Sequence, residues 1–266
     1  MKIIRLKDVG SDVVALQQLL CPWGYTVDIT GIFDEQTDTA VRRFQKDQRL
    51  ASDGIVGNNT WKVLQDEDAR SRSSLRLTEV DFVRAARMLQ VDTAAIHAVQ
   101  EVETGGRGGF FAVGRPAILF EGHIFWSQLK KNGLNPEEYV SGNEDILYQK
   151  WTKEHYKGGM DEYKRLAKAL KIHEKAAACS ASWGLFQIMG FNYLACGCAN
   201  AREFVSKMCS CEGDQLDLFV AFLKSNGWDE YLKKLDWTGF ARHYNGPSYA
   251  QNKYDEKLMN AYKKYK

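Results

Sequence analysis

A chain of 266 residues and 30.3 kDa is longer than one minimal domain needs and has room for two ordinary ones. Its 44% hydrophobic and 26% charged residues exclude wholesale disorder, and four prolines beside 22 glycines exclude a collagen-like or proline-rich protein. Thirty-six Lys and Arg against 34 Asp and Glu leave a formal charge of +2, which argues against a dedicated nucleic-acid binder working by phosphate neutralisation.

The opening segment, MKIIRLKDVGSDVVALQQLL, has no apolar core of signal-peptide length, and no apolar run is long enough for a membrane span. The expectation is synthesis in a cytoplasm, with any exit depending on another component. Val13, Leu16, Leu19 and Leu20 then form the stripe of a first amphipathic helix. A repeat follows: Gly31-Ile32-Phe33-Asp34 leads to Thr37 and Ala40-Val41, and 23 residues later Gly54-Ile55-Val56-Gly57 leads to Thr60 and Val63-Leu64. Each copy reads as a turn, a threonine suited to capping, and a helix with apolar residues at helical spacing. Three short helices joined by glycine turns make a bundle of roughly 65 residues, near the lower limit for autonomous folding.

Gly10-Ser11-Asp12-Val13, Leu16-Gln17, Gly31-x-Phe33-Asp34, Thr37, Ala40-Val41, Phe44-Gln45, Asp53-Gly54-x-Val56-Gly57 and Thr60-Trp61 occur in that order. The run resembles the peptidoglycan-binding domain attached to many cell-wall hydrolases, and the resemblance covers residues 1–66. Most of these positions build the fold. Asp34, Thr37, Asp53 and Trp61, near the two repeat turns, are the candidates for touching glycan or stem peptide. Residues 67–79, EDARSRSSLRLTE, are charged and poor in large apolar groups, the composition of an exposed linker.

A second domain is expected over residues 80–266. Its first helix carries Val80, Val83, Ala85, Ala86 and Leu89 as apolar positions, and the next opens at Asp92 or Thr93 and ends at Gly105-Gly106. Along that second helix, Ile96 and Val99 set an inward face on which position 103 is a glutamate. A carboxyl at the inner edge of a helix C-terminus is desolvated and lies at the negative end of the dipole, and both effects raise its pKa. A general acid for glycoside cleavage needs that property. Glu101 points instead to the side shared by His97 and Ala94, so the two glutamates do not face one cleft; Glu101 is the runner-up.

Glu103-Thr104-Gly105 resembles the junction carrying the catalytic acid of lysozyme-like muramidases and lytic transglycosylases. Ser182-Trp183-Gly184-Leu185-Phe186-Gln187-Ile188-Met189-Gly190 is similar to their Gly-Leu-x-Gln segment, and Ala241-Arg242-His243-Tyr244-Asn245-Gly246-Pro247 to their Tyr-Asn-Gly turn. Residues 118–126, ILFEGHIFW, fit the N-acetylmuramidase domain of modular phage endolysins. The resemblance implies a mainly α protein: the three-helix binding bundle, then a larger lysozyme-like, mostly helical catalytic domain. It implies Glu103 as general acid and Gln187, Tyr244 and Asn245 as substrate-binding residues. Glu121 is either a buried structural carboxylate or part of the site. The implied reaction is hydrolysis of the bond between N-acetylmuramic acid and N-acetylglucosamine. The implied setting is a monomer acting on periplasmic peptidoglycan after release by a holin.

One departure stands out: no Asp follows Glu103 where a hen-type lysozyme has its second carboxylate. Goose-type lysozymes and transglycosylases manage with one dominant acid, so stereochemistry stays open, as does the choice between hydrolysis and an anhydro product. No cofactor or metal is implied. Cys196, Cys198, Cys209 and Cys211 pair with one-residue spacings, closer than common zinc sites use, and read with Cys21 and Cys179 as partly buried thiols, with zinc or a disulfide as the alternatives. A zinc amidase is disfavoured because His97, His123, His155, His173 and His243 form no close pair. A Cys179–His243 peptidase and a non-catalytic wall-binding protein are the other rivals. Residues 253–266, with five basic and two acidic groups, read as the solvated face of a terminal helix able to favour an anionic envelope.

Overall fold

A computed structural model describes residues 2–25, 27–66 and 75–266 and divides the chain into two compact units, Met1–Ser74 and Leu75–Lys266. The first unit contains α1 (Ser11–Leu20), α2 (Glu35–Asp47) and α3 (Asn58–Leu64). Their apolar faces meet in a core of Leu16, Leu20, Phe33, Val41, Phe44 and Leu64. Two isolated bridges, Ile4 with Val56 and Val9 with Ile32, tie the opening segment to the two repeat turns.

Each turn is held by a glutamine from the preceding helix. Gln17, fully buried on α1, donates through Nε2 to the Ile32 carbonyl (3.0 Å) and to the Thr30 and Thr37 hydroxyls (3.2 and 3.1 Å). Its Oε1 accepts the Thr30 and Gly31 amides (3.0 and 2.9 Å). Gln45 on α2 repeats the arrangement with the Ile55 carbonyl (2.9 Å), the Thr60 hydroxyl (3.3 Å), Asp53 Oδ1 (3.1 Å) and the Gly54 amide (2.9 Å). A buried amide side chain is tolerable only when its donors and acceptor are satisfied, as they are here.

Of the expected linker 67–79, residues 67–74 lie outside the described residues, whereas Leu75 to Glu79 belong to the second unit. The Leu75 carbonyl accepts the Glu212 amide (2.7 Å), and the Leu77 amide donates to the Glu212 carboxylate (3.0 Å). Thr78 and Asp81 form a capping box that starts α4 (Glu79–Leu89). The buried face of α4 is Phe82, Ala85, Ala86 and Leu89; the expected Val80 and Val83 are exposed. Phe82, the largest side chain on the helix, sets that face and turns both valines outward.

After α4 come α5 (Thr93–Thr104), a hairpin of β1 (Phe110–Ala112) and β2 (Arg115–Pro116), β3 (Ile118–Phe120) and α6 (Gly122–Lys131). A long connection leads to α7 (Glu162–Leu170), α8 (Glu174–Cys179), β4 (Ala181–Trp183) and β5 (Ile188–Met189). The chain continues with α9 (Ala201–Met208), α10 (Glu212–Ser225), α11 (Asp229–Lys233), α12 (Trp237–Tyr244) and α13 (Tyr254–Tyr265). Strands β3, β4 and β5 form one antiparallel sheet in that order, with Ile118 opposite Trp183 and Ser182 opposite Met189. Among the described residues the fold is therefore mainly helical, with a two-stranded hairpin and one three-stranded sheet.

Strand β3 is an edge, and a buried ion pair covers it. Glu162 accepts the Phe120 amide (3.2 Å) and the Lys157 and Gly158 amides (2.6 and 3.0 Å). Arg165 donates to the Phe120 carbonyl (2.7 Å), to Glu162 (2.8 Å) and to the Asp145 carbonyl (2.9 and 3.1 Å). Both charges are almost wholly inaccessible, and this density of hydrogen bonds makes their burial tolerable. The consequence is a fixed end for β3, where Glu121 follows.

The lysines of the terminal segment are exposed, as a solvated helix face requires, while α13 packs along α5. Lys264 Nζ and the Tyr265 hydroxyl both reach Glu101 (2.6 Å each), and Lys266 Nζ and the Tyr262 hydroxyl reach Asp92 (2.6 and 2.7 Å). The Tyr265 ring stacks on His97 (centroids 4.8 Å apart), and His97 stacks on Phe82 (3.8 Å). Leu258 and Ala261 of α13 are buried beneath these contacts.

Candidate active site

Helix α5 buries Ala95, Ile96, Ala98 and Val99, and Glu103 lies one turn beyond Val99. Gly105, at φ 56° in the left-handed region, ends the helix there and lets the chain turn away from the carboxyl. Glu103 is half-buried. Asn245 Nδ2 donates to its Oε2 (2.9 Å), while its Oε1 is inaccessible and has no hydrogen-bond partner among the described residues. Desolvation raises its pKa from 4.5 to about 7, against a lowering contribution from Asn245. A neutral carboxyl suits this pocket better than a carboxylate, because protonation turns an unsatisfied acceptor into a potential donor.

The other two motifs converge here. Tyr244 lies in a box of aromatic rings, parallel to Phe240 (centroids 5.6 Å apart) and edge-on to Phe219 (5.5 Å). Its hydroxyl donates to the Phe186 carbonyl (3.1 Å) in the β4–β5 turn. Burial, then the nearby Glu103 charge, raises the Tyr244 pKa well above its ordinary value, so the hydroxyl keeps its proton. That geometry makes Tyr244 a strut between α12 and the turn, and Asn245 is the residue of that motif that meets Glu103.

Gln187 is exposed and occupies the left-handed region at φ 50°. Its side chain stabilises that conformation: Nε2 donates to the Gly184 and Ala117 carbonyls (2.8 and 3.2 Å), and Oε1 accepts the Ser182 hydroxyl (2.8 Å). Two residues on α10 that sequence reasoning missed support this region. Gln215 Oε1 accepts the Leu185 amide (2.7 Å), and Glu212 Oε1 accepts the Gly109 amide (2.7 Å) in the segment leaving α5. A Cβ on Gly184 would come within 2.7 Å of Gln215 Cδ, which is why the turn needs glycine there. No local spacing announces such long-range pairs.

Glu121 follows β3 and is not brought into contact with Glu103. Both its oxygens accept the Tyr156 hydroxyl (2.7 and 2.9 Å), and His123 Nδ1 stands 3.4 Å away without hydrogen-bond geometry. Glu101 is taken up by Lys264 and Tyr265, whose hydrogen bonds lower its pKa, the opposite of what a general acid requires.

In the first unit two of the anchor candidates are buried. Thr37 and Trp61 are 1% and 4% exposed; Thr37 accepts from Gln17, and the Trp61 indole donates to the Lys2 carbonyl (2.9 Å). Both support the core and its turns, and Trp61 also lines a groove of about 490 Å3 with Asn58 and Lys62. Asp34 caps α2 by accepting the Thr37 amide (2.8 Å), and Asp53 accepts the Ile55 amide (2.9 Å); these bonds lower both carboxyl pKa values. Beside Asp53 lies a groove of about 430 Å3 lined by Ile3, Ile55, Asn58 and Asn59.

All six cysteines are free, and no group of metal-binding residues occurs among the described residues. Burial pushes the Cys196 thiol up to about 12 and raises Cys179, Cys198 and Cys209 as well. His243 is engaged with Tyr231 and the Gly239 carbonyl, which leaves no Cys179–His243 pair. A separate cavity of about 820 Å3, lined by Trp183, His173 and Tyr193 among others, contains none of the expected site residues.

A half-buried glutamate at a helix end, bonded by the asparagine that follows α12 in a mainly helical body, fits a lysozyme-like glycoside hydrolase. The profile of the N-acetylmuramidase family matches residues 92–266, and that of a peptidoglycan binding domain matches residues 9–64. The chain belongs to the N-acetylmuramidase family and is a cell-wall glycoside hydrolase with an N-terminal peptidoglycan-binding domain. It is also similar to a solved structure described as a Burkholderia AP3 phage endolysin, with 39% identity over 99% of each chain and a TM-score of 0.68.

Proposed function

We propose that the protein is an endolysin that hydrolyses the N-acetylmuramic acid–N-acetylglucosamine bond with Glu103 as general acid, causing lysis of a host cell. The observation that carries this reading is the Glu103 carboxyl itself: Oε2 held by Asn245, Oε1 unpartnered, and the proton retained to about pH 7. Oε1 has no accessible surface, so a glycosidic oxygen reaches it only when the Asn245 side chain or its neighbours give way. Glu103 then donates to the leaving oxygen, and water completes the cleavage. Asn245, left facing the carboxylate, stabilises the charge that forms. Gln187 and Tyr244 act by fixing the turn beside the acid, and Glu121 binds sugar on the outer face of the sheet.

The first unit raises local concentration on the wall without altering the chemistry. Its contact surface in this reading is the groove beside Asp53. The working unit is a monomer made in the host cytoplasm and released to the periplasm with a holin. The test is digestion of purified sacculi by the native chain and by Glu103→Gln, with mass spectrometry of the products. Reducing muramic acid ends from the native chain and none from the variant are expected. Anhydro-muramic ends indicate a transglycosylase instead, and unchanged clearing by the variant overturns the assignment of Glu103. Retained sacculus binding by an inactive variant separates the enzyme from a purely wall-binding protein.

A further inference from the structure

A second group of interacting side chains stands on the face of the β3–β4–β5 sheet that turns away from the core. Ile118 and Phe120 are buried, so the alternating Leu119 and Glu121 point to the opposite face, and Ser182 opposite Leu119 joins them. The Glu121 side chain, 15% exposed, accepts the Tyr156 hydroxyl, and that hydroxyl in turn accepts the Trp151 indole N–H (3.1 Å). Trp151 is nevertheless 57% exposed. An exposed tryptophan is unremarkable by itself; one whose indole N–H is pinned to a hydroxyl that is itself pinned to a carboxylate is held in one orientation.

The support continues behind it. The Arg165 guanidinium, fixed by four hydrogen bonds to Phe120, Glu162 and the Asp145 carbonyl, lies 5.9 Å from the Tyr156 ring centroid. His123 Nδ1, buried and without a hydrogen-bond partner among the described residues, is 3.4 Å from Glu121. A rigid exposed aromatic face beside a carboxylate with spare lone pairs matches the two surfaces of a pyranose. The axial C–H groups of a sugar ring pack on the indole, and its hydroxyls donate to the carboxylate.

Resting on the proposed glycan substrate, we infer that Trp151 is a stacking platform for one N-acetylhexosamine ring of the strand, at a subsite built by Tyr156 and Glu121 away from the Glu103 carboxyl. The platform holds the strand and does no chemistry, so its loss acts on KM and leaves kcat alone. With soluble glycan strands stripped of stem peptides, full-length Trp151→Ala is expected to raise KM roughly five- to tenfold with kcat within about twofold of native. Trp151→Phe, which keeps a flat ring, is expected to recover most of the loss. An unchanged KM overturns the inference, and so does a fall in kcat as large as that in kcat/KM.

A binding measurement separates this from the catalytic reading. In the full-length Glu103→Gln chain, an N-acetylglucosamine hexamer is expected to quench indole emission, and the quench should vanish in Glu103→Gln/Trp151→Ala. If Glu103→Gln stays active, the assignment of Glu103 fails whatever Trp151 does. If Glu103→Gln is inactive but the quench is unaffected by Trp151→Ala, the platform alone fails.

Discussion

Replacing Glu103 by glutamine should make the muramidase unit more stable, and increasingly so as the pH rises. At pH 4 the carboxyl is mostly protonated in both the unfolded and the folded chain, so the two proteins differ little. Between the ordinary value of 4.5 and the folded value of about 7 the unfolded chain sheds its proton while the folded chain keeps it, and the stability of the native protein falls. Above about 7 the penalty is complete. Ionising Glu103 against that desolvation costs about 3 kcal/mol, which corresponds to roughly 6–10 °C in melting temperature for a unit of this size. Other titrating groups act on both proteins and cancel in the difference. The assay is urea unfolding followed by circular dichroism for native and variant chains at half-unit steps from pH 4 to 8.5. Parallel stability curves across that interval would refute the claim that Glu103 holds its proton, and with it the physical basis for a general acid.

Other consequences can be checked in the same way. The pH–rate profile of the native enzyme should lose activity on its alkaline side near 7, and Asn245→Ala should move that limb upward by removing the bond that favours the carboxylate, with kcat reduced roughly tenfold. Glu101→Gln should keep clearing activity within a few-fold while costing about 0.5–1 kcal/mol at neutral pH. Because its pKa is lowered by Lys264 and Tyr265, that cost should disappear as the pH falls through the carboxylate range, which melting curves at pH 7 and 3 will test. Gln17→Ala should destabilise the first unit by about 3 kcal/mol or more, seen as faster amide exchange over residues 30–37 with muramidase activity on soluble strands retained.

The half-buried place of Glu103 was legible because two apolar residues, Ile96 and Val99, fix a helix face and position 103 falls on it. The same logic misplaced the face of α4, where Val80 and Val83 share a spacing with the buried stripe but Phe82 has more area to bury. Motif residues near the repeat turns were readable as a set, yet their roles were not: Thr37 and Trp61 look like binding residues in sequence and are buried partners of Gln17 and Lys2 in space. The two glutamines offered a signal, since each is a polar residue directly after a core residue (Leu16, Phe44) and ahead of a glycine turn. The grip of α13 on α5 was beyond reach, because Lys264 and Glu101 are 163 positions apart and each alone looks like a solvated charge. The Glu162–Arg165 pair is a spacing common on exposed helices, and only the fold reveals that it serves the edge of a strand.

The glutamine-held turns of the first unit also define which lengths in that unit are free to vary. From Gly31 to Thr37 and from Gly54 to Thr60 the count is the same, because one side chain must satisfy the turn and the helix start together. From Gln17 to Gly31 it is 14 positions and from Gln45 to Gly54 only 9, although both glutamines do the same work. Insertions between helix and turn should therefore be accepted, whereas a single residue added inside either turn-to-threonine span should abolish the unit. A cargo peptide or label grafted between Asp28 and Ile29, both exposed and beyond the buried Val27, would use that tolerance, which makes this module adaptable as a wall-targeting tag.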